Sequence, residues 1–183
     1  MNIEIIEGKK LPQEDALAIM QILANTFGDG RKIDPEKKIL FKNQELYFIL
    51  RNNNEIVTVG CLKSLILKFC GEDFPIKGIS GVVSIFPGKG YGKILMDEMR
   101  HYLKKKDFMA IGFCTRKNIP FYRKCNFSVK ENMTEKFILR DKEGSPQENP
   151  DKARDLLFFN DKYSLIPRLA SDPEATVTIP FWW

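Results

Sequence analysis

Between Val82 and Leu95 an apolar run passes through three closely spaced glycines straight into a helical pattern. Val82-Val83-Ser84-Ile85-Phe86 has the composition of a buried strand. Gly88, Gly90 and Gly92 follow at alternate positions, and residues 93–106 then set Leu95, Met99, Tyr102 and Leu103 on one helical face. A strand that feeds a helix through glycines aims successive backbone N–H groups at one point, at the positive end of the helix dipole. Without Cβ atoms in the way, a ligand can come close to that backbone. The segment therefore reads as an anion cradle suited to phosphate, against the plainer alternative of a strand-to-helix turn.

Two familiar phosphate loops do not fit. A Walker loop requires G-x-x-x-x-G-K-[ST], whereas Gly88-Lys89 is followed by Gly90 and position 83 is Val. The dinucleotide fingerprint G-x-G-x-x-G fails on the 88, 90, 92 spacing, and no acidic residue ends the next strand where that motif places one.

The flanking pattern predicts strands at residues 3–6, 45–51, 55–70 and 74–85, the middle ones joined by turns at Asn52-Asn53-Asn54 and Gly71-Glu72-Asp73. Ala16, Ile19, Met20, Leu23 and Phe27 share a helical face after Pro12, and residues 35–41 suggest a second short helix. Beyond the glycine loop come a strand over 108–114, a short helix over 118–125 entered through Pro120, and strands from Ser128, over 136–140 and over 156–159. Residues 143–151 read as an exposed loop, and 176–179 alternate before the terminal Pro180-Phe181-Trp182-Trp183. The fold class is α/β (α+β): a mixed, mostly antiparallel sheet flanked by helices. The chain is expected to form one domain over 1–183, with 143–183 as a C-terminal extension.

Several function classes fall away. The N-terminus is too acidic for a signal peptide, and no apolar run reaches the length of a membrane helix, which points to the cytoplasm and away from membranes. Cys61, Cys70, Cys114 and Cys125 form no C-x-x-C pair, so no metal site is expected and the thiols read as reduced and mostly buried. His101 is the single histidine and reads as a surface residue, which removes Ser-His and Cys-His chemistry. The net charge of +5 and the cluster Lys104, Lys105 and Lys106 lack the basic–aromatic interleaving of a nucleic-acid surface, and the cluster suits the negative end of a helix dipole.

The glycine loop resembles the pyrophosphate-binding motif of the GNAT acyltransferases, R/Q-x-x-G-x-G/A. Pro87-Gly88-Lys89-Gly90-Tyr91-Gly92 keeps its spacing and both glycines, with Pro87 where Arg or Gln is usual. Asn118-Ile119-Pro120-Phe121-Tyr122-Arg123-Lys124-Cys125-Asn126-Phe127 resembles the family's later motif, a short helix carrying Phe-Tyr and ending in a Gly-Phe turn. Asn126 replaces that glycine and tolerates left-handed backbone angles.

The resemblance implies the GNAT fold, with its splayed sheet, and acetyl-CoA as the donor. The pantetheine arm would lie along Val82, Val83, Ser84 and Ile85. The pyrophosphate would sit on Gly88, Lys89, Gly90, Tyr91, Gly92 and Lys93, with Asn118 and Phe121 as further cofactor contacts. An amine would attack the thioester directly, and Tyr122 would return a proton to the leaving thiolate. The bland readings are a core aromatic for Tyr122 and a helix cap for Asn118. The usual carboxylate is missing from residues 79–85. Water, Glu72, Asp73 or the C-terminal carboxylate stand as candidate bases. The long hairpin, the polar loop and the terminal Trp weakly resemble the aminoglycoside 2′-N-acetyltransferase branch, which implies a small polyamine or aminoglycoside-like acceptor near Trp182 and Trp183. Alternatively those aromatics close the core or a homodimer contact. A catalytically silent acyl-CoA sensor and a peptide N-acetyltransferase are the rival functions.

Overall fold

The computed structural model describes residues 1–27, 45–140, 145–147 and 155–180. The helix expected over 35–41 lies outside the described residues, as do Trp182 and Trp183. The chain divides into two compact units, Met1–Lys63 with Ser80–Met99, and Ser64–Ile79 with Arg100–Trp183.

In the first unit, β1 (Asn2–Glu7), β2 (Glu45–Asn52) and the start of β3 (Glu55–Phe69) form an antiparallel run. The β2–β3 turn takes left-handed angles at Asn53 and Asn54, which asparagine tolerates. α1 (Gln13–Phe27) begins where Pro12 predicts, and its Ile19 packs with Tyr47, Ile49, Val59, Cys61 and Val83. Arg51 fixes the helix to the sheet through Asp15 at 2.6 Å and Glu4 at 3.2 Å.

β4 (Glu72–Ser84) follows a two-residue turn at Cys70 and Gly71, both at positive φ. α2 (Tyr91–Lys105) buries Leu95, Met96, Met99 and Leu103 completely. Gly60 is the floor for that face within the first unit: an added Cβ would lie 2.9 Å from Leu95 and 3.2 Å from Met99.

The second unit carries the sheet path β6 (Ser128–Lys130), β9 (Asp155–Phe159), β5 (Ala110–Cys114), β4, β3, β10 (Val177–Pro180), β7 (Phe137–Arg140) and β8 (Pro146–Gln147). β5 runs parallel to β4, paired at Lys77↔Ala110 and Gly78↔Ile111, and antiparallel to β9 along its length. β10 enters between β3 and β7, antiparallel to the first and parallel to the second. The core on one side gathers Leu67, Phe74, Met109, Ile111, Leu156, Val177 and Ile179 with Leu165 and Leu169 of α4 (Leu165–Ser171).

Two expectations shift. The strand expected from Phe108 starts at Ala110, because Phe108 N–H caps α2 on the Leu103 carbonyl, with Asp107 at φ 50° beside it. Within the loop expected over 143–151, Pro146 and Gln147 pair with β7 at Arg140 and Leu139.

Candidate functional site

Gly88 and Gly90 both hold left-handed angles, φ +81° and +80°, which a side chain would strain. No heavy atom lies within 4 Å of where a Cβ would stand on either, so the backbone is open to a ligand. The Gly90 carbonyl accepts the first α2 bonds, from Lys93 N–H at 3.1 Å and Ile94 N–H at 3.2 Å. Among the described residues no acceptor meets the N–H groups of residues 88–92. These N–H groups stand in an exposed, glycine-rich stretch at a helix start, the electrostatics of an anion site. Lys89 is exposed, and the Lys93 ammonium is held by Asp97 one turn on.

Upstream, Val83 is buried in the α1-side core, Val82 and Ser84 are half-buried, and Ile85 is exposed. The Ser84 hydroxyl lies 3.2 Å from the Thr58 hydroxyl, and Ile85 N–H donates to the Val57 carbonyl at 3.0 Å. Gly81 interrupts the strand at φ +60°, with Leu23 of α1 at 3.4 Å from its Cβ position. That kink before the loop was not read from the sequence, where Gly81 looks like an ordinary strand glycine.

In the second unit, α3 (Ile119–Lys124) presents Tyr122 to the interior and leaves Arg123 and Lys124 outside. The helix closes with Phe127 N–H on the Tyr122 carbonyl at 3.1 Å and Asn126 N–H on Arg123 at 3.0 Å, around Asn126 at φ 59°. This is the Schellman arrangement, with asparagine in the position that glycine usually fills. Tyr122 packs edge-on to Phe121, ring centroids 5.1 Å apart. Burial, then the nearby Cys114 and Cys125, push its phenol well above the usual tyrosine range. Among the described residues its hydroxyl has no hydrogen-bond partner. Asn118 stands at the N-cap of α3 but its side chain makes no capping bond.

The base candidates separate. Glu72 and Asp73 are exposed at the far end of β4 from the loop, and Asp73 pairs with Lys68 at 3.3 Å. The C-terminal carboxylate lies outside the described residues. Three buried acids were missed: Asp15, held by Arg51, Glu45, hydrogen-bonded by Tyr47 and paired with Lys63, and Asp155 at the start of β9. Nothing in the local pattern of Asp155-Leu156-Leu157 marks the acid as buried.

Among the described residues no three His, Cys, Asp or Glu side chains gather as a metal site, and no helix is long and apolar enough to cross a membrane. A strand–glycine cradle–helix unit in an open mixed sheet, followed by a tyrosine-bearing helix, defines a protein of the acyltransferase class. The family model described as the acetyltransferase (GNAT) family matches residues 16–127, and the chain belongs to that family.

Among solved structures it is similar to Arabidopsis thaliana glucosamine-6-phosphate N-acetyltransferase (19% identity, TM-score 0.53, covering 70% of this chain and 92% of that one). An aminoglycoside acetyltransferase from an uncultured soil metagenomic sample, solved with trehalose, is also similar (16%, TM-score 0.55, 68% and 86%). So is a probable N-acyltransferase of Enterococcus faecalis (14%, TM-score 0.56), of which the match covers 76% of this chain and only 38% of the other. No curated protein matches the chain in sequence.

Proposed function

We propose that this chain is an acyl-CoA-dependent N-acyltransferase that moves an acetyl group from acetyl-CoA to a small amine, with 1–183 acting as one domain. The observation that carries the reading is the row of unpartnered N–H groups over residues 88–92 at the start of α2, in a chain of the GNAT family. The open Cβ positions at Gly88 and Gly90 suit a pyrophosphate, and the cofactor would supply the activated acyl thioester. Gly88, Lys89, Gly90, Tyr91, Gly92 and Lys93 hold its phosphates. Val82, Val83, Ser84 and Ile85 take the pantetheine arm by backbone pairing, and Asn118 and Phe121 are further cofactor contacts in this reading. Tyr122 gives its proton to the leaving thiolate; its ring is buried and its raised phenol keeps its proton at neutral pH. Holding amine and thioester together supplies much of the rate. The acceptor is a polyamine or an aminoglycoside-like molecule, a choice supported by the acetyltransferases of similar fold and by the tail resemblance.

Pro87 in place of the usual Arg or Gln favours one second reading, an acyl-CoA sensor with no turnover. A panel of polyamines, aminoglycosides, amino sugars and peptides, followed by release of free CoA thiol from acetyl-CoA, decides between them. Amine-dependent thiol release is expected. Tight acetyl-CoA binding by calorimetry without transfer to any amine overturns the enzyme in favour of the sensor, and no binding overturns both.

A further inference from the structure

A CoA thioester and the free CoA that leaves after transfer carry the same pyrophosphate. Whatever grips that group holds substrate and product alike. A stronger grip lowers KM without speeding the chemical step, and it slows product release. Between Ile85 and Asp97 the chain carries three charges, Lys89, Lys93 and Asp97. The two cations favour a bound phosphate, and the third charge opposes it.

Lys93 is the third residue of α2, and its N–H donates to the Gly90 carbonyl at 3.1 Å. Its ammonium lies 2.5 Å from Asp97 Oδ2, four residues on. The Lys93 side chain is 51% exposed and that of Asp97 28%. Helix stability does not account for this pair. A cation in the first turn faces the positive end of the helix dipole. At four-residue spacing the favourable order places the acid before the base, and here the order is reversed. A largely exposed pair in that order adds little to folding.

The reversed order has an electrostatic effect on the cradle instead. Long helical side chains lean toward the helix N-terminus, which for Lys93 is the side of the glycines. Asp97 stands one turn the other way and engages the ammonium that would otherwise answer a phosphate. Its own charge also offsets part of the positive potential that the dipole and the open N–H groups supply. Gly88, Gly90, Lys93 and Asp97 all belong to the first unit, within Ser80–Met99.

We propose that Asp97 is a positioning residue that competes with the cofactor's pyrophosphate for Lys93, and so keeps the hold on acetyl-CoA and on CoA weak enough for product release. This rests on the acyltransferase reading above. In the free protein Lys93 pairs with Asp97. With a pyrophosphate in the cradle, the ammonium is shared between carboxylate and phosphate. As CoA departs, Asp97 takes the ammonium back.

The test is calorimetry with CoA at low ionic strength. Asp97→Asn keeps the shape and removes the charge. We expect its CoA dissociation constant to fall roughly three- to tenfold, and the gain to shrink in ~0.5 M salt, where exposed charges are screened. KM for acetyl-CoA and the inhibition constant for CoA should fall by the same factor, while kcat does not rise. Asp97→Glu, which retains the charge, should bind CoA as the wild type does. In a Lys93→Met background the gain from Asp97→Asn should shrink to less than about twofold. A variant that is merely damaged binds more weakly, so the sign of the change is diagnostic. Equal or weaker CoA binding by Asp97→Asn overturns the proposal, and so does a full gain in the absence of Lys93. Should Asp97→Asn fail to fold, Lys93→Met alone decides: it should weaken CoA binding at least about threefold, and an unchanged affinity overturns the competition equally. A wild-type protein that does not bind CoA overturns the acyltransferase reading itself, a failure distinct from that of Asp97 alone.

Discussion

Tyr122 packs its ring against Phe121, and no described residue is hydrogen-bonded to its hydroxyl. Tyr122→Phe removes only that hydroxyl. Because a positioned acid contributes roughly 10²–10⁴-fold, kcat should drop within that range while acetyl-CoA affinity holds. A wild-type kcat would return Tyr122 to the core. Burial also couples this residue to stability. The phenols of Tyr122 and Tyr47 are both raised, chiefly by burial. Burial likewise pushes the Cys61 thiol up to about 12 and the Cys114 thiol up to about 11. A raised folded value means the native state keeps its proton where the unfolded chain has lost it. The contribution is whole below the unfolded value and drains away above it. The melting temperature should therefore hold steady through neutrality, begin to fall near pH ~9 as unfolded thiols ionise, and fall faster above ~10 as tyrosines join. A melting temperature that stays level to pH ~11 would contradict these burials.

At the scale of elements, the cradle and the α3 turn each depend on one backbone conformation. The open space around Gly90 lets a glutamate side chain fit, at a cost of about 1–2 kcal/mol for its left-handed angle. Gly90→Glu should fold, and its negative charge against the phosphates should weaken acetyl-CoA binding at least ~tenfold by calorimetry. A folded variant of unchanged affinity would displace the site from the loop. Asn126 makes the matching case at α3. Asn126→Gly should melt at or slightly above the wild-type temperature, whereas Asn126→Val should lose about 1–2 kcal/mol in denaturant unfolding. Equal stability of the two would mean that the turn is not held by that angle.

For the whole molecule, the C-terminal segment is part of the second unit's sheet. β10 lies between β3 and β7, with Val177 and Ile179 each 1% exposed. Burying two such side chains contributes about 3–6 kcal/mol, a large share of a domain's usual 5–15 kcal/mol. Truncation after Ala175 should abolish a cooperative thermal transition or cause aggregation. Truncation after Pro180 should melt like the full chain, and with Trp182 and Trp183 gone it should bind acetyl-CoA normally but transfer poorly if those residues line the acceptor pocket. Full turnover in the shorter cut would remove the tail from that pocket, and a stable protein ending at Ala175 would contradict the placement of β10.

The amino-acid sequence by itself determined the features that local chemistry dictates. Alternate glycines between a strand and an amphipathic helix mark a tight turn with left-handed angles, which Gly88 and Gly90 adopt. Asn126 after a short aromatic helix sits where a left-handed residue is required, and the alternation of 45–51 and 55–70 sets a hairpin. The tertiary structure decided what depends on distant partners. Asp155 follows a polar stretch and is an ordinary surface acid by pattern; pairing with Cys114, about forty residues earlier, is what buries it. Residues 176–179 alternate like a strand, and parallel pairing with β7 and antiparallel pairing with β3, which the alternation does not encode, put them inside the sheet. α4 escapes pattern reading because Pro167 falls inside its first turn, and Asp161 stabilises that turn from outside by accepting Leu165 and Ile166 N–H at 2.8 and 2.9 Å. Periodicity records what a residue does with neighbours three or four positions away, while burial and strand order are fixed by contacts that have no spacing in the sequence.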